Sequence, residues 1–295
     1  FDIGFMTQAI NVAAIQYCAR GTATETLDHI RPMIAKAAQT ARLITLPEAA
    51  SFIAASRDEL AEQAEWDDAS HSQKCLANIA QSHRIWLLAG SLLLRQRSSG
   101  KLVNRSLLLG PDGRLVASYD KIHMFDANVG DGTSYQESAS FKAGSIPVIA
   151  AVDDVPVGMS ICYDLRFPHL FRQLAQDGAK IILVPAAFTA VSGQAHWHVL
   201  LRARAIETGC FVVAPAQVGL HADGRQTYGH SLIINPWGKI IAEASTNSPN
   251  NSGADCDTNY DAIITATLDL DEVSKARQAI PSLATNPNIS ATRFF

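Results

Sequence analysis

Three polar residues suited to acyl transfer each follow an apolar run with the composition of a buried β-strand. Glu48 ends "LITLPE", Lys121 follows "RLVASYD", and Cys162 ends "VGMSIC". Ligand sites of α/β proteins lie at the carboxyl ends of strands, so these positions favour side chains that converge on one pocket. A carboxylate, an ammonium and a thiol supply a base, a cation for developing negative charge and a nucleophile. The set therefore predicts chemistry at an acyl carbon.

Each of the three residues also has an ordinary structural interpretation. A single cysteine after a strand is most often a small buried apolar residue. Glu48 fits the first turn of a helix, where the helix dipole favours a carboxylate, and Lys121 fits a solvated strand end. Only their combination indicates a catalytic site.

Other kinds of site find no support in the sequence. It contains no His-Glu-x-x-His segment, and a helix through "HWH" at 196–198 would place the two histidines about 200° apart, so both cannot face one metal ion. The "GHSLI" segment at 229–233 lacks the last glycine of a Gly-x-Ser-x-Gly turn, and no dinucleotide-binding or phosphate-binding loop occurs. We therefore expect neither a metal nor an organic cofactor.

The elements that must position these residues alternate between strands and helices. Apolar runs such as "NVAAIQY" and "KIILVPAA" alternate with helical patterns near residues 24–40, 168–177 and 196–208. This alternation is typical of an α/β protein.

Two segments spaced by 125 residues share one pattern. "LLLGPDGRLVAS" at 107–118 and "LIINPWGKIIAE" at 232–243 each combine an apolar triplet, Pro-x-Gly, a basic residue and two aliphatic residues, which predicts a β-hairpin. "LLAGS" at 87–91 precedes the first hairpin as "VVAPA" at 212–216 precedes the second. Hairpin turns often use Pro and Gly, but the repeated order favours a duplicated half. We expect an α/β fold with two similar sheets, a four-layer α-β-β-α sandwich with an internal pseudo-two-fold duplication.

The composition favours a globular protein that acts on a small molecule. Apolar residues make up 47% and charged residues 18% of the chain, and the net charge is -4, so no basic excess attracts nucleic acid or a membrane. No apolar run approaches the roughly 20 residues that span a bilayer, and no signal-peptide core is present. We expect a cytoplasmic location. The five cysteines lack a Cys-x-x-Cys pair, which predicts free thiols rather than a disulfide framework or a zinc site.

The candidate catalytic residues occur in three ordered segments, "LPEA", "YDKIHMFD" and "ICYDLRFP". These segments resemble the motifs of the nitrilase, or carbon-nitrogen hydrolase, superfamily, and the resemblance covers about residues 11–280. It implies an α-β-β-α sandwich, in agreement with the duplicated halves. It also implies a further catalytic residue, Glu137 in "YQESASFKAG", which holds the lysine and the first glutamate in position. A surface carboxylate is the alternative for Glu137.

The resemblance implies hydrolysis of an amide through a thioester, without a cofactor. Cys162 attacks the carbonyl, Glu48 acts as general base, and the Lys121 ammonium raises the thiolate fraction. Lys121 and the backbone N–H of Tyr163 then hold the oxyanion.

The residues after the cysteine narrow the implied substrate. Cys-Tyr-Asp-x-Arg-Phe-Pro at 162–168 resembles the Nit branch of amidases, whereas true nitrilases usually continue Cys-Trp-Glu. The segments "AHWHVLLRARAIETGCFVVAPAQVG" and "YGHSLIINPWG" are similar to members that hydrolyse deaminated glutathione to 2-oxoglutarate and cysteinylglycine. The alternatives are an ω-amidase acting on 2-oxo acid amides, a carbamoyl amidase, a nitrilase, and a binding protein that has kept the fold.

Carboxylates of such a substrate need cationic or N–H partners. Arg166 is a candidate, with an ion pair to Asp164 or another carboxylate as its structural alternative. Phe188, Thr189 and His196 follow a predicted strand and are candidates for lining the pocket, with core packing as the alternative for Phe188.

The expected domain organisation is one carbon-nitrogen hydrolase domain over residues 6–280 and a C-terminal tail over residues 281–295. The tail lacks a core pattern and ends in two phenylalanines, so we expect it at a subunit interface. The polar segment 244–261 predicts a surface loop. The resemblance implies a homodimer or a higher homo-oligomer.

Overall fold

The fold consists of two β-sheets and the helices that cover them. A computed structural model of the chain describes residues 8–130, 132, 134–244 and 260–285. The α-helices of this part of the chain are α1 (Ala23–Ala37), α2 (Arg57–Gln63), α3 (His71–His83), α4 (Pro168–Gln176), α5 (Ala190–Thr208) and α6 (Asp271–Ala279). Short 3₁₀ helices span Glu137–Ala139, Cys162–Arg166 and Pro281–Leu283.

The strands are numbered in chain order. They are β1 (Ala9–Gln16), β2 (Leu43–Thr45), β3 (Glu65–Trp66), β4 (Trp86–Leu88), β5 (Leu92–Arg95), β6 (Leu102–Leu109), β7 (Leu115–Asp120), β8 (Asp126–Asn128), β9 (Ser134–Gln136), β10 (Val148–Val152), β11 (Val155–Met159), β12 (Ile181–Leu183), β13 (Phe211–Ala214), β14 (Val218–Leu220), β15 (Gln226–Tyr228), β16 (Leu232–Ile234), β17 (Ile240–Glu243) and β18 (Ala262–Asp269).

The two large sheets repeat one topology. In the first sheet the strands β18, β1, β2, β4, β6 and β7 are neighbours in that order, and in the second sheet β10, β11, β12, β13, β16 and β17 follow one another. In both sheets the successive pairings are antiparallel, parallel, parallel, antiparallel and antiparallel. The duplication predicted from the sequence is therefore confirmed.

The two repeated hairpins agree in detail. The register shifts between Leu108 and Leu109 in one and between Ile233 and Ile234 in the other. The turn glycines Gly113 and Gly238 have φ angles of 78° and 77°, a region that favours glycine. The Pro-x-Gly pattern was therefore a signal of turn geometry in both halves.

The buried apolar residues form two clusters, one that extends from between the sheets to α4 and α5 and one beneath α1 and α3. Along β1, Val12 and Ala14 face the second sheet, whereas Ala13 and Ile15 face α1 and α3. Strands such as β2, β12 and β13 are buried throughout because both faces of each sheet are covered. Helices α4 and α5 cover the outer face of the second sheet, which completes the four-layer sandwich.

The helices predicted from the sequence are present, but α5 is longer than expected. It begins at Ala190 because Thr189 precedes it in an extended conformation. Gly193, a weak helix former, obscured this first turn in the sequence. A Cβ atom at Gly193 would lie 2.4 Å from the Tyr228 side chain, so glycine is needed for α5 to pack on β15.

The structure tests the prediction about the cysteines but not most of the predictions about the polar loop and the C-terminal tail. Most of the predicted loop 244–261 and the tail from residue 286 onward lie outside the described residues. Cys75, Cys162 and Cys210 are free thiols, but Cys18 is disulfide-bonded, so the expectation of five free thiols was wrong. Within the described part of the chain, no helix is both long enough and apolar enough to cross a bilayer.

Candidate active site

Cys162 begins the 3₁₀ helix that follows β11, and its backbone is held in an unusual conformation. Its φ angle is 45°, a region that non-glycine residues rarely adopt. The Cys162 N–H donates to the Pro185 carbonyl at 2.9 Å, which ties this turn to the segment after β12. The strained turn directs a nearly buried thiol into a cavity, as expected of a nucleophile at a strand end.

Glu48 follows β2 in a segment that passes very close to another turn. A Cβ atom at Gly90 would lie 1.8 Å from the Pro47 carbonyl oxygen, so only glycine fits there. The Glu48 Oε1 atom accepts hydrogen bonds from Lys121 Nζ at 2.9 Å and from Asn104 Nδ2 at 2.9 Å. Its Oε2 atom accepts from the Ala187 N–H at 2.9 Å. The carboxylate is thereby fixed in a buried position.

Lys121 lies directly after β7 and joins two carboxylates. Its Nζ atom is 2.9 Å from Glu48 Oε1 and 2.8 Å from Glu137 Oε2, and the side chain is only 2% exposed. Glu137 Oε2 also accepts from the Phe125 N–H at 2.6 Å. Glu137 therefore lies where it orients the ammonium, and the surface alternative for this residue is wrong.

Asn104, on β6, is part of the cluster and was missed in the sequence. Its Nδ2 atom donates to Glu48 Oε1 at 2.9 Å and to Glu137 Oε1 at 3.2 Å. Its Oδ1 atom is buried and has no hydrogen-bond partner among the described residues. An asparagine on a strand that is otherwise mostly apolar, "LVNRSLLL", was the available signal.

Burial, neighbouring charges and hydrogen bonds together set the protonation of Glu48 and Cys162. Burial alone would raise the pKa of Glu48, but the charge of Lys121 and hydrogen bonds from Cys162, Lys121 and Ala187 lower it below its ordinary value. Burial and then the Glu48 charge raise the pKa of Cys162 well above its usual range, against the lowering effect of Lys121. Lys121 thus favours the thiolate, as predicted, but burial and Glu48 outweigh its effect. The resting pair is a thiol hydrogen-bonded to a carboxylate.

The opposite charges also fix the state of Lys121. Burial would lower its pKa, but the charges of Glu137 and Glu48 outweigh this effect and raise the pKa above its ordinary value. Lys121 is consequently a permanent ammonium and cannot serve as a base at neutral pH.

The backbone N–H of Tyr163 was predicted to bind the oxyanion. Tyr163 and Lys121 line the same cavity as Cys162. Both predicted donors are thus located beside the thiol.

Asp164 holds the turn after the nucleophile in place. It is fully buried and accepts hydrogen bonds from the Tyr119 hydroxyl at 2.7 Å, the His123 N–H at 3.0 Å and the Ile161 N–H at 2.9 Å. The His123 ring also contacts Asp164 through Nδ1 at 2.7 Å. The alternative of an Arg166–Asp164 ion pair was therefore wrong, because Asp164 has other partners.

The cluster lies in a cavity of about 380 Å³. Phe188 and Thr189 line it, as predicted, whereas Arg166 and His196 do not. Arg166 instead lies 3.2 Å from His196 Nδ1 and 5.0 Å from the Phe188 ring. The position of Arg166 and His196 outside the cavity lining does not support their predicted role as substrate ligands.

One group of possible metal ligands occurs elsewhere in the described residues. His198 Nε2 and His230 Nδ1 lie 2.9 and 2.8 Å from the same oxygen of Glu243. None of the three lines the cavity around Cys162. This group therefore has no part in the chemistry at the thiol.

Comparison with known families now identifies the chain. A family model described as carbon-nitrogen hydrolase matches residues 11–278. The chain belongs to the carbon-nitrogen hydrolase family. As a carbon-nitrogen hydrolase, it is an enzyme that acts on carbon–nitrogen bonds other than peptide bonds.

Two carbon-nitrogen hydrolases from other organisms are similar to this chain over most of their length. The deaminated glutathione amidase of Synechocystis sp. (strain PCC 6803 / GT-S) is 40% identical over 275 residues, which cover 92% of this chain and 96% of that protein. The deaminated glutathione amidase of Yersinia enterocolitica is 40% identical over 235 residues, or 79% of this chain and 82% of that protein.

Solved structures of carbon-nitrogen hydrolases have the same fold. The C. elegans NitFhit protein matches with a TM-score of 0.84 and 32% identity, covering 97% of this chain and 67% of that one. Saccharomyces cerevisiae Nit3, a member of branch 10 of the nitrilase superfamily, matches with a TM-score of 0.80 and 28% identity, covering 98% and 97%. These similarities confirm the family and the α-β-β-α sandwich expected from the sequence.

Proposed function

We propose that this enzyme hydrolyses deaminated glutathione to 2-oxoglutarate and cysteinylglycine, with Cys162 as nucleophile. The observation that carries the proposal is the hydrogen-bonded cluster of Glu48, Lys121 and Cys162 on the wall of one cavity. Relatives named deaminated glutathione amidase, 40% identical to this chain over most of its length, support the substrate.

In the first half-reaction, the Cys162 thiol gives its proton to Glu48 as the sulfur attacks the amide carbonyl. The resting Cys162 thiol is protonated and hydrogen-bonded to the Glu48 carboxylate. Proton transfer to Glu48 and attack by the sulfur are therefore coupled. The Lys121 ammonium and the Tyr163 N–H stabilise the oxyanion that forms. Glu48 then protonates the leaving nitrogen, the carbon–nitrogen bond breaks, and cysteinylglycine leaves a thioester behind.

In the second half-reaction, water hydrolyses the thioester. Glu48 removes a proton from the water as its oxygen attacks the carbonyl carbon, and the same donors hold the second oxyanion. The carbon–sulfur bond then breaks, the sulfur takes back a proton, and 2-oxoglutarate is released. One carboxylate thus acts as base and acid in turn.

Glu137 and Asn104 act on this chemistry through their contacts with Lys121 and Glu48. Glu137 balances the charge of the Lys121 ammonium and fixes its position, while Asn104 joins the two carboxylates. Both are positioning residues. A donor that is held in place before reaction stabilises the transition state without a reorganisation cost.

A panel of amides tests the proposed substrate. The panel comprises deaminated glutathione, 2-oxoglutaramate, an N-carbamoyl amino acid and an aliphatic nitrile, with products detected by mass spectrometry. We expect the highest kcat/KM for deaminated glutathione. A higher value for 2-oxoglutaramate would show an ω-amidase instead. A higher value for the nitrile would show a nitrilase, and a higher value for the carbamoyl compound would show a carbamoyl amidase.

The expected cytoplasmic location and homo-oligomer remain proposals. Several large apolar side chains are exposed on α5 and on the hairpin beside it, among them Val199, Ile206 and Trp237. An exposed apolar surface of this kind favours association of subunits. Multi-angle light scattering of the purified protein tests the oligomer, and a mass of one chain would contradict it.

A further inference from the structure

The cavity around Cys162 is also lined by charged residues that the proposed chemistry does not use. Besides Glu48, Lys121 and Glu137, the lining contains Arg57, Arg225 and Asp223. The first group carries an excess negative charge and the second an excess positive charge. A substrate that places its amide at the thiol and an anion at the arginines would match this division.

Arg225 has an unused donor in this cavity. Its Nε atom is buried and has no hydrogen-bond partner in the described residues. Its guanidinium approaches Asp223 only to 3.6 Å, which is beyond hydrogen-bond distance. A buried N–H without an acceptor is unfavourable. The guanidinium also lines the cavity with part of its surface exposed, so a ligand carboxylate there would supply acceptors that Asp223 does not.

The hairpin that carries Arg225 is held firmly. Strands β14 and β15 pair with one another. Within the hairpin, the Nε2 atom of His221 lies 2.8 Å from Thr227 Oγ1. The His221 N–H donates to the Arg225 carbonyl at 2.9 Å. The hairpin also joins the segment after β12, where the Tyr228 N–H donates to the Phe188 carbonyl at 2.9 Å. Arg225 is therefore fixed relative to the wall that contains Phe188.

Arg57 supplies a second cation to the same cavity. It is the first residue of α2 and it is exposed, and no ion pair to a carboxylate is found for it in the described part of the chain. Arginine presents parallel N–H donors that match the two oxygens of a carboxylate. Two arginines in the lining of one cavity therefore favour an anion of this shape.

We propose that Arg225, assisted by Arg57, binds a carboxylate of the substrate and sets the preference for amides that carry one. The inference rests on the proposed function, because it assumes an amide bound at Cys162. Deaminated glutathione has one carboxylate on its 2-oxo acid part and one on its glycine. Both have the chemistry that the arginines recognise, and the experiment separates them.

The test compares deaminated glutathione with two analogues, each of which lacks one charge. In the first, a 4-oxopentanoyl group replaces the 2-oxo acid part, so a methyl group stands where that carboxylate was. In the second, cysteine N-ethylamide replaces cysteinylglycine. The quantity measured is the ratio of kcat/KM for deaminated glutathione to kcat/KM for each analogue, in the wild type and in Arg225→Gln, Arg225→Lys, Arg57→Gln and Arg114→Gln.

We expect Arg225→Gln to lower one of the two ratios by about 10- to 100-fold, the range typical of lost hydrogen bonds to a charged group. The analogue whose ratio falls identifies the carboxylate that Arg225 binds. Arg225→Lys should keep part of the ratio because it keeps the charge, and Arg57→Gln should lower the same ratio by a smaller factor. Arg114, exposed on the turn between β6 and β7 and absent from the cavity, is the matched control.

Binding gives a readout that does not depend on turnover. Calorimetric titration of deaminated glutathione into Cys162→Ala protein should give a weaker affinity when Arg225→Gln is added, with unchanged circular dichroism and thermal unfolding. If the wild type discriminates against an analogue and Arg225→Gln discriminates equally, the carboxylate subsite is overturned while the proposed function stands. If the wild type itself hydrolyses both analogues as well as deaminated glutathione, the proposed substrate is overturned.

Discussion

Asn104 and Glu48 share a buried hydrogen bond at the centre of the catalytic cluster, with 2.9 Å between Nδ2 and Oε1. The same amide nitrogen lies 3.2 Å from Glu137 Oε1. Two carboxylates repel one another in a buried site, and here an ammonium and an amide lie between them. The position of the general base thus depends on a residue that takes no proton itself.

Replacing Asn104 should impair turnover more than binding. We expect Asn104→Ala to lower kcat by about 10- to 100-fold with a small change in KM, because a displaced Glu48 affects the chemical step. Asn104→Asp should be more severe, since it adds a third carboxylate. Steady-state kinetics of both variants against Asn78→Ala, an exposed position on α3, check this. Equal kcat values in Asn104→Ala and the wild type would contradict the positioning role.

Removing the thiol should abolish turnover and leave the fold intact. We expect Cys162→Ala to lose activity by on the order of 10⁴-fold or more, because no other group in the cluster can form the thioester. Cys75→Ala, which removes a half-buried thiol on α3, is the matched control and should keep activity. Mass spectrometry of quenched wild-type reactions should show the acyl adduct on the peptide containing Cys162. An adduct elsewhere would refute the assignment.

Replacing Glu48 should make the Cys162 thiol easier to ionise and should nevertheless slow amide hydrolysis. Burial raises the pKa of Cys162 most, and the Glu48 charge raises it further, while Lys121 lowers it. In Glu48→Gln the pKa of Cys162 should fall, so alkylation by iodoacetamide should have its pH midpoint below that of the wild type. Amide hydrolysis should nevertheless fall by about 10²- to 10⁴-fold because the base is lost.

The matched control for this experiment is Glu62→Gln, an exposed carboxylate on α2. It should leave both the alkylation midpoint and the rate of hydrolysis as in the wild type. A midpoint in Glu48→Gln that is unchanged or higher than in the wild type would show that Glu48 does not control the thiol.

The sequence alone predicted those parts of the site that local patterns encode. Glu48, Lys121 and Cys162 each follow an apolar run, and Gly113 and Gly238 mark the turns of two equivalent hairpins. These signals come from β-strands, from the points where strands end and from turns. Each of these features depends on residues that are close together in the sequence.

Other parts of the site depend on distances that no local pattern encodes. Asn104 meets Glu48 only because β6 and β2 lie on either side of β4 in one sheet. Arg225 reaches the cavity because its hairpin packs against the segment that contains Phe188. The effect of Lys121 on the pKa of Cys162 has the predicted direction, but burial and the Glu48 charge together outweigh it, a balance that requires the folded geometry.

His221 should make the stability of the fold sensitive to acid. Burial, together with the charge of Arg225, lowers its pKa from 6.5 to about 4, against an opposing effect of Asp223. Between these two pH values the unfolded chain binds a proton that the folded chain does not, so the free energy of unfolding falls as the pH decreases from 6.5 to 4. The shift corresponds to a loss of about 3 kcal/mol.

Urea unfolding at pH 7 and at pH 4.5 should show a larger loss of stability in the wild type than in His221→Gln, which cannot take up the proton. His83→Gln, at the exposed end of α3, should retain the pH dependence of the wild type. Equal pH dependence of unfolding in the wild type and in His221→Gln would show that this histidine is not held neutral in the fold.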